Sequence, residues 1–181
     1  GFAVEAIDAV GESFDTRHPF ENDCFLYGLS PEETVARIPA DARIIGIAFA
    51  FSFEWPYARR LAHAIRARFP QALLIGGGEH VTAVPTQSLE ESPLDIVVLG
   101  EGEETAVAVA RALAEGRLDP ARIDGIGYKD RSGRAVINPR RSRKREIDAI
   151  PWPAWELFPI RNYLDQGYGF GVNRGRSMPV L

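Results

Sequence analysis

LLIGGGEHVTAVP, Leu73–Pro85, runs from an apolar stretch into three consecutive glycines and then Glu79 and His80. A tight turn needs one glycine, at most two. Three in a row, at the point where a strand ends, suggest that something comes very close to the backbone there.

The segments on either side repeat one pattern. Upstream, ARIIGIAFAF (42–51) is a continuous apolar run, expected of a strand buried on both faces. WPYARRLAHAIRARF (55–69) follows, with Tyr57, Leu61, Ile65 and Phe69 at four-residue spacing and arginines elsewhere, an amphipathic helix. Downstream, Val81 to Glu91 reads as helical, LDIVVLG (94–100) as a strand, and EETAVAVARALAEG (103–116) as a helix with an acidic first turn and a closing Gly116. Nearer the start, FAVEAIDA (2–9) reads as a strand, and a polar, glycine-containing stretch runs on to Gly28. SPEETVARI (30–38) reads as a short helix with Ser30 as N-cap, Pro31 at its first position and Glu32 and Glu33 at the positive end of its dipole. Strands thus alternate with helices four times, which predicts parallel strands joined by right-handed crossovers in an open α/β sheet. DGIGYKDRSGRAVINP (124–139) departs from this and predicts a β-hairpin turning at RSG.

From residue 140 the character changes. RRSRKRE (140–146) is a basic run that reads as solvated, and AIPWPAWELFPI (149–160) crowds prolines, two tryptophans and a phenylalanine. Residues 140–164 are expected to be a linker lying over a surface, pinned by its aromatics, with Trp152 and Trp155 in interdomain packing. The last residues finish on an apolar run, as though a strand were starting. The expected division is a binding domain over 1–139 and a linker over 140–181. The only methionine is Met178, and the opening reads as a strand already under way, so the chain is expected to be a piece of a longer protein.

Composition narrows the function. Of the 181 residues, 45% are hydrophobic and 25% charged, enough apolar content for one real core. A net charge of −4 disfavours non-specific nucleic-acid binding. No apolar run approaches the ~20 residues that span a bilayer, and there is no signal-peptide pattern. The single cysteine, Cys24, excludes an internal disulfide or a Cys-based cluster here. It fits a reducing cytoplasm and is expected to be a quiet buried thiol.

In an open α/β sheet, ligands bind beyond the carboxyl ends of the strands. Three segments reach that rim: AFAFSFEW (48–55), GGGEH (76–80) and GEGEE (100–104). No GxxxxGK[ST] occurs, and no GxGxxG follows the first strand. Glu101, Glu103 and Glu104 suit a helix start and would repel a phosphate. Bare peptide groups with carboxylates suit a broad, flat partner rich in amide donors. The candidate contacts are Ser52, Gly76, Gly77, Gly78, Glu79, His80, Gly100, Glu101 and Gly102. Phe49, Phe51 and Phe53 offer an apolar wall.

The ordered set GFAVEAIDA, LSPEETVARI, ARIIGIAFAFS, LLIGGGEHVTAVP, DIVVLGEGEET, IDGIGYKDRSGRAVINP and IDAIPWPAWELFPIRNYL resembles the N-terminal cobalamin-binding domain of cobalamin-dependent radical SAM enzymes. The resemblance covers nearly the whole chain. It implies a flavodoxin-like Rossmann sheet holding cobalamin at its carboxyl edge. It also implies a following radical SAM domain whose CxxxCxxC loop binds a [4Fe–4S] cluster and cleaves S-adenosylmethionine, for methyl transfer or cyclisation. The family's first strand and helix, where a DxHxxG motif would lie, have no counterpart in the chain, and neither has CxxxCxxC. The segment alone is therefore expected to perform no radical chemistry. A serine and a threonine usual in the third-strand loop are Ala48 and Phe51 here, which leaves Ser52 as the polar contact of that loop. The resemblance places His80 near the cofactor's nucleotide tail rather than on cobalt. His63, on a helix face with Arg59 and Arg66, is expected to be solvated, and His18 to sit in a loop without a metal. The competing reading is a non-catalytic flavodoxin-like domain, regulatory or interacting, that holds a flavin, a nucleotide or nothing.

Overall fold

A computed structural model describes residues 2–21, 23–142, 148 and 150–167. They form two compact units. One comprises the residues up to Ile38 together with those from Pro151 on, and the other runs from Pro39 to Ile150.

In the first unit, β1 (Arg17–Pro19) and β2 (Phe25–Tyr27) pair antiparallel within the stretch read as merely polar. Helix α1 (Pro31–Arg37) begins as the sequence dictates. The Glu33 amide donates to Ser30 Oγ (3.2 Å), and the Ser30 amide donates to Glu33 Oε2 (2.8 Å), a reciprocal capping box. That amide bond is the main reason the Glu33 carboxyl titrates below its usual range. Residues 2–8 form no strand, contrary to the alternating pattern. Alternation signals a strand only where a neighbouring backbone takes up its hydrogen bonds, and here Phe2 and Val4 stay exposed. Cys24 is exposed rather than buried.

The second unit holds the sheet. β3 (Ile44–Ala48), β4 (Leu73–Gly77) and β5 (Ile96–Val98) run parallel, and β6 (Ile126–Lys129) and β7 (Ala135–Ile137) extend it as an antiparallel hairpin, in spatial order β3-β4-β5-β6-β7. The crossovers are α2 (Trp55–Arg68), then the short helices α3 (Glu79–Ala83) and α4 (Pro85–Glu90), which break at the residue before Pro85, and α5 (Glu103–Ala114) comes between β5 and β6. This is the mixed α/β, flavodoxin-like architecture the sequence predicts, with its hairpin at Gly133. Ile75, Ile96, Val98, Val109 and Ile126 form a core cluster between sheet and helix. Each fully buried side chain of this size contributes roughly 1.5–3 kcal/mol.

Two details differ from expectation. β3 is the edge strand, and Gly46 and Ala48 are exposed, so it is not buried on both faces. On α2 the buried line is Trp55, Ala58, Ala62 and Ile65, with Tyr57 and Leu61 only half-buried at its margin.

The C-terminal stretch belongs to the first unit. Trp152 is 91% exposed and Trp155 about half. Helix α6 (Ile160–Asp165), inside the predicted linker, makes the attachment. Tyr163 Oη donates to the Asp8 carboxylate (2.7 and 2.8 Å), its ring meets Phe14 edge-on at 4.7 Å, and Asn162 Nδ2 donates to the Gly11 carbonyl (2.8 Å). Residues 143–146 of the basic run, and the apolar end, within 168–181, lie outside the described residues.

Candidate functional site

The parallel register sets Ala48 beside Gly77, so the loops after β3 and β4 leave the sheet together. Their hydrogen bonding continues past the strands. The Phe49 amide donates to the Gly77 carbonyl (2.7 Å), and the Phe49 carbonyl accepts from the His80 amide (3.1 Å).

The three glycines have three different reasons. At Gly76 a Cβ would meet Leu94 Cδ1 at 2.8 Å and the Phe49 ring at 3.0 Å, so this glycine makes room for the core. Gly78 has φ of +112°, and a Cβ there would meet the Phe49 carbonyl oxygen at 2.6 Å. Gly77 has neither constraint. Its backbone is ordinary strand, and a Cβ would find nothing within 4 Å among the described residues. Phe49 itself lies buried under this loop (1% exposed), so it is not free to act as a wall.

His80, on α3, is 7% exposed. Its Nδ1 is 3.0 Å from Ser52 Oγ, and its ring packs on that of Trp55 with centroids 4.5 Å apart. Trp55 Nε1 donates to Glu91 Oε2 (3.1 Å), and Arg59 reaches the same oxygen (3.3 Å). Nε2 of His80 is buried with no partner among the described residues. Burial pushes the imidazole pKa down, against the pull of the Glu91 carboxylate, and favours the neutral ring. The Glu91 carboxyl is held below its usual range, chiefly by the Trp55 indole.

Past β5, Gly100 (φ +70°) is exposed, and its amide donates to Thr82 Oγ1 on α3 (2.9 Å), which ties the two glycine loops together. Gly102 precedes α5, and Glu103 and Glu104 occupy its first turn, with Glu104 Oε2 3.6 Å from Arg141. Glu79 and Glu101 are exposed. All nine predicted contact residues therefore belong to one unit. Ser52, Gly76–His80 and, through Thr82, Gly100 are linked directly, while Glu101 and Gly102 follow along the chain.

Sequence reasoning missed Trp55, Thr82 and Glu91. Trp55 closed the rim segment AFAFSFEW and opened a helix, but it was not singled out as a contact. Thr105, buried in α5 with Oγ1 unpartnered among the described residues, gave no signal. His63 is exposed as expected, whereas Arg66 is not a solvated arginine. His18 lies on β1 rather than in a loop, with Nε2 3.1 Å from the Gly28 carbonyl. No group of three or more metal-ligating side chains occurs among the described residues, and no described helix is long and apolar enough to cross a membrane.

The carboxyl ends of the three parallel strands, where open α/β sheets take their ligands, are thus lined by bare glycine and by a histidine with one ring nitrogen unpartnered among the described residues. The chain belongs to the B12 binding domain family, which matches residues 17–110, a little over half of it. Among curated proteins it is 28% identical, over 91% of its length, to cytidylyl-2-hydroxyethylphosphonate methyltransferase of Streptomyces wedmorensis, and covers 35% of that protein. It is 32% identical, over 61% of its length, to anaerobic magnesium-protoporphyrin IX monomethyl ester cyclase of Cereibacter sphaeroides, and covers 19% of that enzyme. Among solved structures it resembles the cobalamin-dependent S-adenosylmethionine radical enzyme OxsB with aqua-cobalamin and S-adenosylmethionine bound, with a TM-score of 0.54 and 20% identity over 63% of this chain and 16% of that one. The chain thus spans about a third or less of the relatives it matches. The expected fold and cobalamin as cofactor are borne out, and the flavin or nucleotide alternative falls to the family match.

Proposed function

We propose that this chain is the cobalamin-holding part of a radical SAM methyltransferase or cyclase, with the macrocycle seated over the rim formed by Gly77, Ser52, His80 and Gly100–Gly102. The observation that carries the placement is Gly77. Its neighbours lack side chains for reasons internal to the fold, whereas Gly77 has open space where a Cβ would stand. A bare backbone facing outward there suits close approach by a flat ligand. The unpartnered Nε2 of His80 fits the same reading, because a buried ring nitrogen without a hydrogen bond is costly and an amide of the cofactor would satisfy it. Glu101 and Glu79 offer carboxylate acceptors to an amide-bearing periphery.

Bound cobalamin supplies a cobalt centre able to carry a methyl group. The chain's own residues orient the cofactor and exclude water from it. The radical SAM partner domain, its [4Fe–4S] cluster and S-adenosylmethionine belong to the whole enzyme, and support for them comes from the names of the relatives and the family resemblance. A cytoplasmic location is part of the proposal and rests on the lone cysteine.

Titration of the chain with hydroxocobalamin tests the reading. The cofactor's visible bands should shift on binding and the thermal midpoint should rise. Gly77→Val should weaken binding at least tenfold at unchanged fold stability. No spectral change and no stabilisation with the unaltered chain would sink the proposal, and equal binding by the variant would remove Gly77 from the site.

A further inference from the structure

The loop after β3 carries phenylalanine at 49, 51 and 53, and the structure sends them in different directions. Phe49 goes under the glycines. Phe51 and Phe53 are 55% and 79% exposed and stack on each other, with centroids 5.5 Å apart and planes 17° from parallel. Ser52, between them, bonds with His80 instead. Ser52 is also the only hydroxyl between Ala48 and Phe53, and it is already engaged. Beside the exposed Glu54, what the loop presents outward is chiefly these two rings.

Two large rings held parallel in water leave most of their surface hydrated, which is unfavourable. Their position suggests what covers them. The loop is anchored at both ends of the site, by the Phe49 backbone on Gly77 and His80 and by Ser52 on the His80 ring. A ligand resting on bare Gly77 and wide enough to overhang the neighbouring loop would cover the pair. A corrin is that wide, and its faces carry methyl groups as well as amides.

We propose that Phe51 and Phe53 form an aromatic platform for the corrin macrocycle, so that affinity on this side of the site comes from apolar contact. The inference rests on the cobalamin reading above. Its test compares the unaltered chain with Phe51→Ser/Phe53→Ser and with Phe53→Ser alone. Each is titrated with hydroxocobalamin and with cobinamide, which keeps the corrin but lacks the nucleotide tail. The double variant should bind both ligands about tenfold more weakly, and the single variant should lie between. The ligand-free thermal midpoints should agree, since neither ring supports the core. Unchanged affinity for both ligands in the double variant would overturn the platform. A loss confined to hydroxocobalamin would overturn it too, because the rings would then serve the tail. Failure of the unaltered chain to bind either ligand would instead strike the cobalamin reading itself, and the platform with it.

Discussion

The two edges of the parallel sheet are finished in opposite ways. At the amino edge, Arg66 donates to the carbonyls of Pro70 (3.1 Å), Ala72 (2.8 Å) and Pro93 (3.2 Å) and to Asp95 Oδ2 (2.5 Å). Asp95 Oδ2 also accepts from the Leu74 amide (2.8 Å), and Lys129 Nζ donates to the Ser92 carbonyl (2.7 Å). The strand starts are thus locked by one closed polar network. At the carboxyl edge, among the described residues, Gly77 faces open space, one nitrogen of His80 lacks a partner, and two phenylalanines are exposed. A network that satisfies itself serves the fold, whereas groups left unsatisfied on a rigid frame are free to serve a ligand. The two edges should therefore answer substitution differently.

The amino edge should give the largest change in stability. Arg66→Ala removes four hydrogen bonds, leaves three carbonyls without this donor and leaves the Asp95 carboxylate with the Leu74 amide in place of two donors. A loss of about 2–3 kcal/mol is expected in urea denaturation. Hydroxocobalamin affinity, measured where the variant is folded, should stay within about twofold. A large loss of affinity at small cost in stability would dissolve the contrast between the edges.

The glycine loop divides the contrast more finely. Gly78→Ala forces a side chain onto the Phe49 carbonyl at positive φ and should cost about 1–3 kcal/mol. Gly77→Ala should alter stability by no more than about 0.5 kcal/mol and act on ligand affinity alone. Denaturation and titration of the pair, side by side, separate the two roles. If both variants lose stability equally, Gly77 is a turn residue and the opening beside it has no bearing on binding.

That division was invisible in the sequence. GGG announced close approach to the backbone, but which glycines met Phe49 and which met nothing depends on a residue just past the preceding strand, placed by β3–β4 register. The legible features were those with local causes: the Ser30 N-cap, the helix from Trp55, the acidic first turn of α5 and the RSG hairpin. The features that were not legible are pairwise across the chain. Residues 2–8 alternate like a strand yet have no ladder, Trp55 looked like a helix start until His80 packed on it, and Thr82 gained a role through the Gly100 amide. The Ser52–His80 pair lies between the two cases. The sequence singled out both residues, but only the folded chain joins them and leaves the second imidazole nitrogen over.

That nitrogen carries the smallest expected effect. Burial among Trp55, Ser52 and the α3–α4 segment lowers the His80 pKa, and only the Glu91 carboxylate works the other way. The folded chain therefore binds the proton more weakly than the unfolded chain does. Above the ordinary histidine value of about 6.5 the ring is neutral in both states and contributes no pH dependence. As pH falls through that value, the unfolded chain takes up the proton first, and stability declines until the folded-state pKa is passed. Denaturation at a series of pH values from neutral to mildly acidic should show this decline, and His80→Gln should flatten it while the carboxylate titrations common to both proteins remain. Cobalamin sharpens the expectation. If an amide of the cofactor bonds to Nε2 of the neutral ring, the unaltered chain should bind more weakly as pH falls through the same window, and His80→Gln should lose that dependence. A binding profile that is flat for both proteins would leave His80 a supporting residue behind Ser52 and confine the contact to the glycines.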